Sequence, residues 1–324
     1  MNAASISLIP PGSGGVRDYA SILGNRLGAP AMELTHSTDV ASLSGEFLFL
    51  HFSGYGFQKR GIPLWLVSKI RSLRTRFKAF GIVFHELFAT GPPWGSAFWL
   101  SGCQRRIARE LLSLADFWLA NGETYAHWLL KQAHDTPHRV LPVFSTVGEP
   151  ASTGTERERK LVVFGSGSVR ARAYEWADGE IFRCAQRHGL EIHDIGTPLP
   201  KGPLAQRLAQ EGVIARGMLP AEEVSLALSR ASYGALAYPT RFVSKSSIFA
   251  AYCAHGICPL LLSKTYDMHD GLKANVHYAA GIDALDRSIV DPRTIGGQAR
   301  QWYEQHDIEA HVVALKTMTT EVRR

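Results

Sequence analysis

The chain is poor in cysteine and has neither a long apolar run nor a standard phosphate-loop fingerprint. Its four cysteines, at 103, 184, 253 and 258 of 324 residues, form no CxxC pair. A chain this long does not need disulfide staples, so a reducing, cytoplasmic compartment is expected. No apolar run reaches the ~20 residues that cross a bilayer. The opening MNAASISLIPPGSGG has no charged n-region and no long apolar core, so it does not read as a secretory signal. Neither GxGxxG nor GxxxxGK[ST] occurs, and GxSxG, the sign of a hydrolase nucleophile, is missing. His134 and His138 have i,i+4 spacing, but Pro137 interrupts any helix that would pair them on a metal. No DxD-like pair stands at a strand end, and no metal site is expected.

What is present is a globular composition, 45% apolar and 20% charged, with a net charge of +6 that leans toward anionic partners. Short apolar runs alternate with amphipathic runs of helix length. Strands are expected at 5–9, 46–52, 80–87, 117–121 and 139–144, then at 161–166, 190–196, 212–217, 233–239 and 258–263. Helices are expected at 98–115, 173–188, 220–231 and 246–255. Strands that are apolar throughout are covered on both faces, and strand-helix alternation implies βαβ units. The polar stretch GEPASTGTERERK (148–160) reads as a linker. The fold class is α/β, with two Rossmann-like doubly wound domains facing a cleft. The expected division is 1–148, 149–298 and a C-terminal helical segment, 299–324.

Ligands of open α/β sheets bind beyond the carboxyl ends of the strands, so the strand-to-helix loops carry the candidates. After the first strand, PPGSGG places Gly14 and Gly15 where backbone approaches a ligand at a helix start. The plain alternative is a flexible turn. In FHELFATGPPWGS, His85 and Glu86 end an apolar strand; His bonds hydroxyls or moves protons near neutral pH, and Glu serves as base or orienting group. The plain alternative is a histidine bonded to backbone. FGSGSVRARAYEW follows a strand with a Gly-Ser loop, Ser168, Arg170 and Arg172, a pattern suited to phosphate; the plain alternative is a solvated arginine pair on a helix start. In RFVSKSSIFAAYCAHG, Lys245, Ser246 and Ser247 open a helix; serines there are helix caps, and the same amides and Lys form an anion site. ARGMLPAEEVSLALSRA offers Met218 and Leu219 to a flat base, though taken alone it is just a strand-helix turn.

The stretch 57–81 holds Lys59, Arg60, Lys69, Arg71, Arg74, Arg76 and Lys78 with no acidic residue. Leu66, Ile70, Leu73 and Phe77 form one helical stripe. The plain reading is a solvated helix packed by that stripe. The functional alternative is peripheral contact with anionic membrane lipid on the inner face of the cell membrane. Nucleic acid is not expected, since no binding module appears.

In this order, the segments GSGGVRDYASILGNRL, the His85-Glu86 strand end, LADFWLANGETYAHWLL, LVVFGSGSVRAR, GMLPAEEVSLALSRA and SKSSIFAAYCAHGICPLLL resemble the GT-B glycosyltransferases, in particular those of family 4. The final segment, ARQWYEQHDIEAHVVALKTM (299–318), resembles the C-terminal helices of that family, which implies that 299–324 packs back on the first domain, and the resemblance covers nearly the whole chain. It implies transfer of a sugar, with retention and without a metal or other cofactor, from a nucleotide-diphosphate sugar to an acceptor hydroxyl. The acceptor would be a sugar, glycan or lipid-linked molecule of bacterial glycan or glycolipid assembly. It implies that Gly14 and Gly15 approach the diphosphate or sugar and that His85 bonds the donor sugar. Arg170 and Arg172 would hold the diphosphate, Met218 and Leu219 would flank the base, and Ser246 and Ser247 would present helix-start amides. Many members carry two glutamates eight positions apart around this helix; here Val243 and Ala251 occupy those positions. That departure leaves open a non-catalytic sugar- or nucleotide-binding paralogue with a partner role. An epimerase would need cleft carboxylates, for which only Glu86 is an obvious candidate.

Overall fold

The computed structural model describes residues 5–89, 96–152, 154, 156–287 and 291–322. The chain divides into two compact units, 1–142 with 308–324, and 143–307.

The first unit holds β1 (Ile6–Ile9), α1 (Gly15–Leu27), β2 (Ala31–Glu33), β3 (Gly45–Ser53), α2 (Gly54–Phe57), α3 (Leu64–Arg74), β4 (Phe77–Glu86), α4 (Ser96–Leu112), β5 (Phe117–Ala120), α5 (Glu123–Leu130) and β6 (His138–Val140). The six strands form a parallel sheet in the order β2-β1-β3-β4-β5-β6. The last six residues of β3 and all of β4 between Ala79 and His85 are buried, as the unbroken apolar runs require of strands covered on both faces.

The second unit holds β7 (Glu158–Phe164), α6 (Gly167–Glu175), α7 (Glu180–His188), β8 (Glu191–Ile195), α8 (Pro203–Gln210), β9 (Ile214–Gly217), α9 (Ala221–Arg230), β10 (Ala231–Ala237), α10 (Ser247–Ala254), β11 (Cys258–Leu262), β12 (Ala279–Ala280), α11 (Ile282–Asp286) and α12 (Pro292–Tyr303). Its parallel sheet runs β12-β11-β10-β7-β8-β9. The chain leaves β7 toward β8 and β9 on one side, then returns to build β10 to β12 on the other. The strand order therefore reverses between β7 and β10, the switch point at which open α/β sheets bind ligands. The last helix, α13 (Ile308–Val322), belongs to the first unit.

The structure differs from the sequence-based expectation in several places. The helix expected over 173–188 is two helices, separated by a turn with Ala177 (φ 46°), Asp178 (φ 53°) and Gly179 (φ 72°) in the left-handed region. Strands β2 and β12 were not expected; at three and two residues they lack a readable apolar run. The strand expected to 144 stops at Val140, before Pro142, whose ring removes a ladder donor. The stretch expected as a linker is tied down on the second unit. Tyr303 Oη donates to the Glu149 carboxylate, and Arg300 donates to Pro150 O at 2.9 Å. The division expected at 299 falls inside α12, which packs on α10 and β11 in the second unit.

Candidate functional site

At the switch point of the second sheet, the loop Gly165–Ser166 leads from β7 into α6. Gly165 adopts φ 120°, and a Cβ there would stand 2.5 Å from Ile248 Cδ1 on the first turn of α10. The loop after β7 and the start of α10 are thus neighbours.

The two arginines of α6 diverge. Arg170 is fully buried: its guanidinium donates to Gly165 O at 3.0 Å, to Asp194 and to Thr197 O. Tyr174 Oη closes the network with a 2.8 Å bond to Asp194 Oδ1. Burial and the Asp194 charge push the Tyr174 phenol well above its ordinary value. The guanidinium expected to meet a diphosphate is therefore engaged inside the unit. Arg172 is exposed, with its guanidinium 6.0 Å from the Tyr238 ring centre. It lines a cavity of about 700 Å³ with Glu175, Trp176, Ala177, Tyr238, Pro239 and Lys264, beyond the carboxyl ends of β10 and β11. That size and lining, an apolar body with a few charged groups, is typical of small-molecule sites. Ser168 is exposed on the first turn of α6, and its Oγ lies 3.3 Å from that of Ser166.

The serines that open α10 are mostly spent on the fold. Ser246 is the N-cap, its Oγ accepting from Phe249 N at 3.3 Å. Ser244 donates to Asp270 Oδ2 at 2.6 Å. Ser247 is the first helical residue and half-buried, and Lys245 Nζ lies 5.1 Å from the Phe242 ring centre. Val243 and Ala251 are 1% and 0% exposed, so neither position presents a side chain to solvent.

A second cavity, about 230 Å³, lies between α8 and the ends of β8 and β9, lined by Pro198, Leu199, Leu208, Ala215 and Gly217. Met218 is 78% exposed beside it, with its Sδ 3.6 Å from Thr197 Oγ1, and Leu219 is half-buried.

In the first unit, Gly14 caps α1 with φ 142° and open space where a Cβ would be, and Gly15 is exposed at the first helical position. His85 is not presented as an open strand-end group. It is 6% exposed, its Nε2 3.2 Å from His51 Nδ1 on β3, with the Tyr19 ring edge-on at 4.9 Å. His311 on α13 packs against the same tyrosine at 5.6 Å. Burial alone lowers the His51 imidazole to about 3, so it is neutral. Glu86 points outward and accepts from Ser53 Oγ at 3.2 Å. The Gly/Pro-rich loop that follows, 90–95, lies outside the described residues. His51, Tyr19 and Asp194 were missed; for His51 a polar residue inside the apolar run EFLFLHF was the available signal, whereas Tyr19 follows Arg17-Asp18 and Asp194 follows His193, with nothing local to mark them.

The basic stretch of α3 is largely neutralised from within. Lys69 Nζ donates to three carbonyls, of Thr35, His36 and Thr38; Arg74 pairs with Asp116, Arg76 with two carbonyls, and Lys78 with Glu46. Arg71 lies 3.7 Å from Glu110. Among the described residues no helix is long and apolar enough to cross a membrane. One group of three potential metal ligands, Cys184, His188 and Asp286, occurs among them. Asp286 is already bonded by Arg187 at 2.7 Å and by His188 at 2.9 Å, and Cys184 lies in the core.

By sequence, no family model and no curated protein matches this chain. By structure, the two parallel-sheet units give the fold of the GT-B glycosyltransferases. The pneumococcal O-GlcNAc transferase GtfA, solved with UDP and GlcNAc, superposes with a TM-score of 0.59 at 10% identity over 86% of this chain. This chain spans only 57% of that enzyme. An α-glucosyltransferase solved with UDP and a 13-mer DNA gives 0.55 at 10% identity, covering 99% of this chain and 100% of that one. AviGT4, a glycosyltransferase of avilamycin A biosynthesis, gives 0.50 at 12% identity over 98% of each chain.

Proposed function

We propose that this protein is a glycosyltransferase that moves a sugar from a nucleoside-diphosphate donor to an acceptor hydroxyl. The observation that carries the reading is the switch-point site of the second unit. A Gly-Ser loop and the start of α10 meet there, and a cavity of about 700 Å³ bearing Arg172 and Lys264 lies beside α6, beyond the ends of β10 and β11. The fold likeness to enzymes solved with UDP supports it.

Breaking the sugar-phosphate bond leaves charge on the departing diphosphate. Arg172, Lys245 and the amides that begin α6 and α10 would stabilise that charge as it develops. The cavity of about 230 Å³ beside Met218 and Leu219 is the candidate base site, and the likeness to enzymes solved with UDP makes UDP the first nucleotide to test. In the first unit, His85 would bond the donor sugar, Glu86 is the candidate to act on the acceptor, and Gly14 and Gly15 open the backbone to a ligand. Retention at the anomeric centre is the expected course, by likeness to family 4.

The test is a thermal-shift panel of UDP, GDP, ADP and dTDP, followed by donor turnover measured by mass spectrometry. A nucleoside diphosphate should raise the melting temperature, and Arg172→Ala should remove the shift. No shift with any of the four would overturn the reading. The buried Val243 and Ala251, where carboxylates were expected, favour a second reading, a binding protein without turnover. Nucleotide binding with neither transfer nor slow donor hydrolysis would select it.

A further inference from the structure

Three consecutive loops at the carboxyl edge of the second sheet are stitched to one another. Gly165 N donates to Ile195 O at 3.1 Å, and Gly196 N donates to Gly217 O at 2.9 Å. Gly196 has φ 151°, and an added Cβ would run into Gly165 O and the Arg170 guanidinium. The loop after β8 therefore lies directly against the loop after β7. Arg170 sits where they meet. Its Nε holds Gly165 O at 3.0 Å, one terminal nitrogen holds Thr197 O, and the other pairs with Asp194 at the end of β8.

No part of Arg170 reaches solvent, and Asp194 is 6% exposed. A buried arginine must be compensated, and here Asp194 does so. Asp194 is itself oriented by Tyr174, whose hydroxyl donates at 2.8 Å. The planar fork suits the task, because it reaches a carboxylate and two carbonyls on two different loops at once. Lysine keeps the charge but has only one nitrogen to share among those acceptors.

We propose that Arg170 is a positioning residue of the nucleotide site and never touches the ligand. This rests on the donor-site reading of the second unit. Through the pair with Asp194 it locks the loop expected at the phosphates, 165–168, to the loop bordering the base cavity, 196–199. Both subsites are then in place before ligand arrives, and binding does not have to order them.

The decisive variant is Asp194→Asn, alongside Arg170→Lys and Tyr174→Phe, each checked for folding by near-ultraviolet circular dichroism. Were Arg170 a phosphate ligand, removing the Asp194 charge would free it and tighten UDP binding. As a positioning residue it loses its anchor, and UDP binding weakens, by about tenfold or more. Tyr174→Phe, the mildest change, should act in the same direction. Hydrogen exchange on the unliganded protein gives a second readout that needs no nucleotide. Amides of 165–168 and 196–199 should exchange faster together in all three variants. Tighter UDP binding by Asp194→Asn, or unchanged exchange in the two loops, overturns the proposal. If the parent protein binds no nucleoside diphosphate, the donor-site reading fails, and the exchange result still decides whether Arg170 locks the loops.

Discussion

His51 Nδ1 stands 3.2 Å from His85 Nε2, with both rings buried at the carboxyl ends of β3 and β4. One nitrogen donates and the other accepts, so the pair requires complementary tautomers and excludes a proton on both facing atoms without a donor left unmatched. His51 therefore fixes how His85, the candidate sugar-binding residue, is oriented.

That pair makes the fold acid-sensitive. Burial lowers His51 from 6.5 to about 3, so between those values the unfolded chain takes a proton that the folded chain refuses. The stabilising effect is complete above pH 6.5 and is lost progressively as the pH falls toward 3. Urea unfolding across this range should show stability falling with pH by a few kcal/mol, on the order set by linkage. His51→Gln should be weaker at neutral pH and show a flatter acid limb. An equally steep limb in the variant would assign the acid sensitivity elsewhere.

In the second unit, His255 Nδ1 donates to Ala251 O at 2.7 Å, which leaves Nε2 to accept from Ser225 Oγ at 2.7 Å. Burial, ahead of the Arg157 and Arg300 charges, lowers this imidazole to about 4. The serine hydroxyl bonds the neutral form, so Ser225→Ala should move the imidazole titration upward and cost about 1 kcal/mol. Histidine-selective NMR titration measures the first effect and thermal unfolding the second. A downward movement would contradict the tautomer.

Gly196→Ala should cost about 2 kcal/mol or more, since it adds left-handed strain to a collision with backbone at Gly165 O. Gly14→Ala meets open space and adds only the strain of φ 142°. Melting temperatures of the two variants should therefore differ, with Gly196→Ala lower. Equal losses would mean that the close approach between the loops is not rigid.

Lys69→Met should destabilise the first unit by about 1–3 kcal/mol, because it leaves three carbonyls without their shared donor. Co-sedimentation with anionic vesicles should be weak and salt-sensitive, carried by the exposed Lys59 and Arg60. Strong binding that survives neutralising both would restore the membrane reading of α3.

Much of the fold was legible because burial on both faces of a parallel strand demands an unbroken apolar run. EFLFLHF and FGIVFHEL could hardly be anything else, and LVVF is the buried end of β7. The edge strands β2 and β12 pair on one side only and are short, so they left no comparable pattern. The break between α6 and α7 was missed although Asp178-Gly179 is a turn dipeptide, because Ala177 by itself carries no sign of the left-handed backbone it adopts.

By itself, the sequence determined two sheets of alternating strands and helices, and which loops carry glycine, serine and cationic groups. Only the tertiary structure decided which cation meets solvent. Residues two apart on a helix point in nearly opposite directions, so Arg170 and Arg172 cannot share a face. Packing of α6 against the sheet turns Arg170 inward to Asp194 and leaves Arg172 at the cavity. A buried carboxylate on a neighbouring strand settled that choice, and nothing local to GSGSVRAR could reveal it.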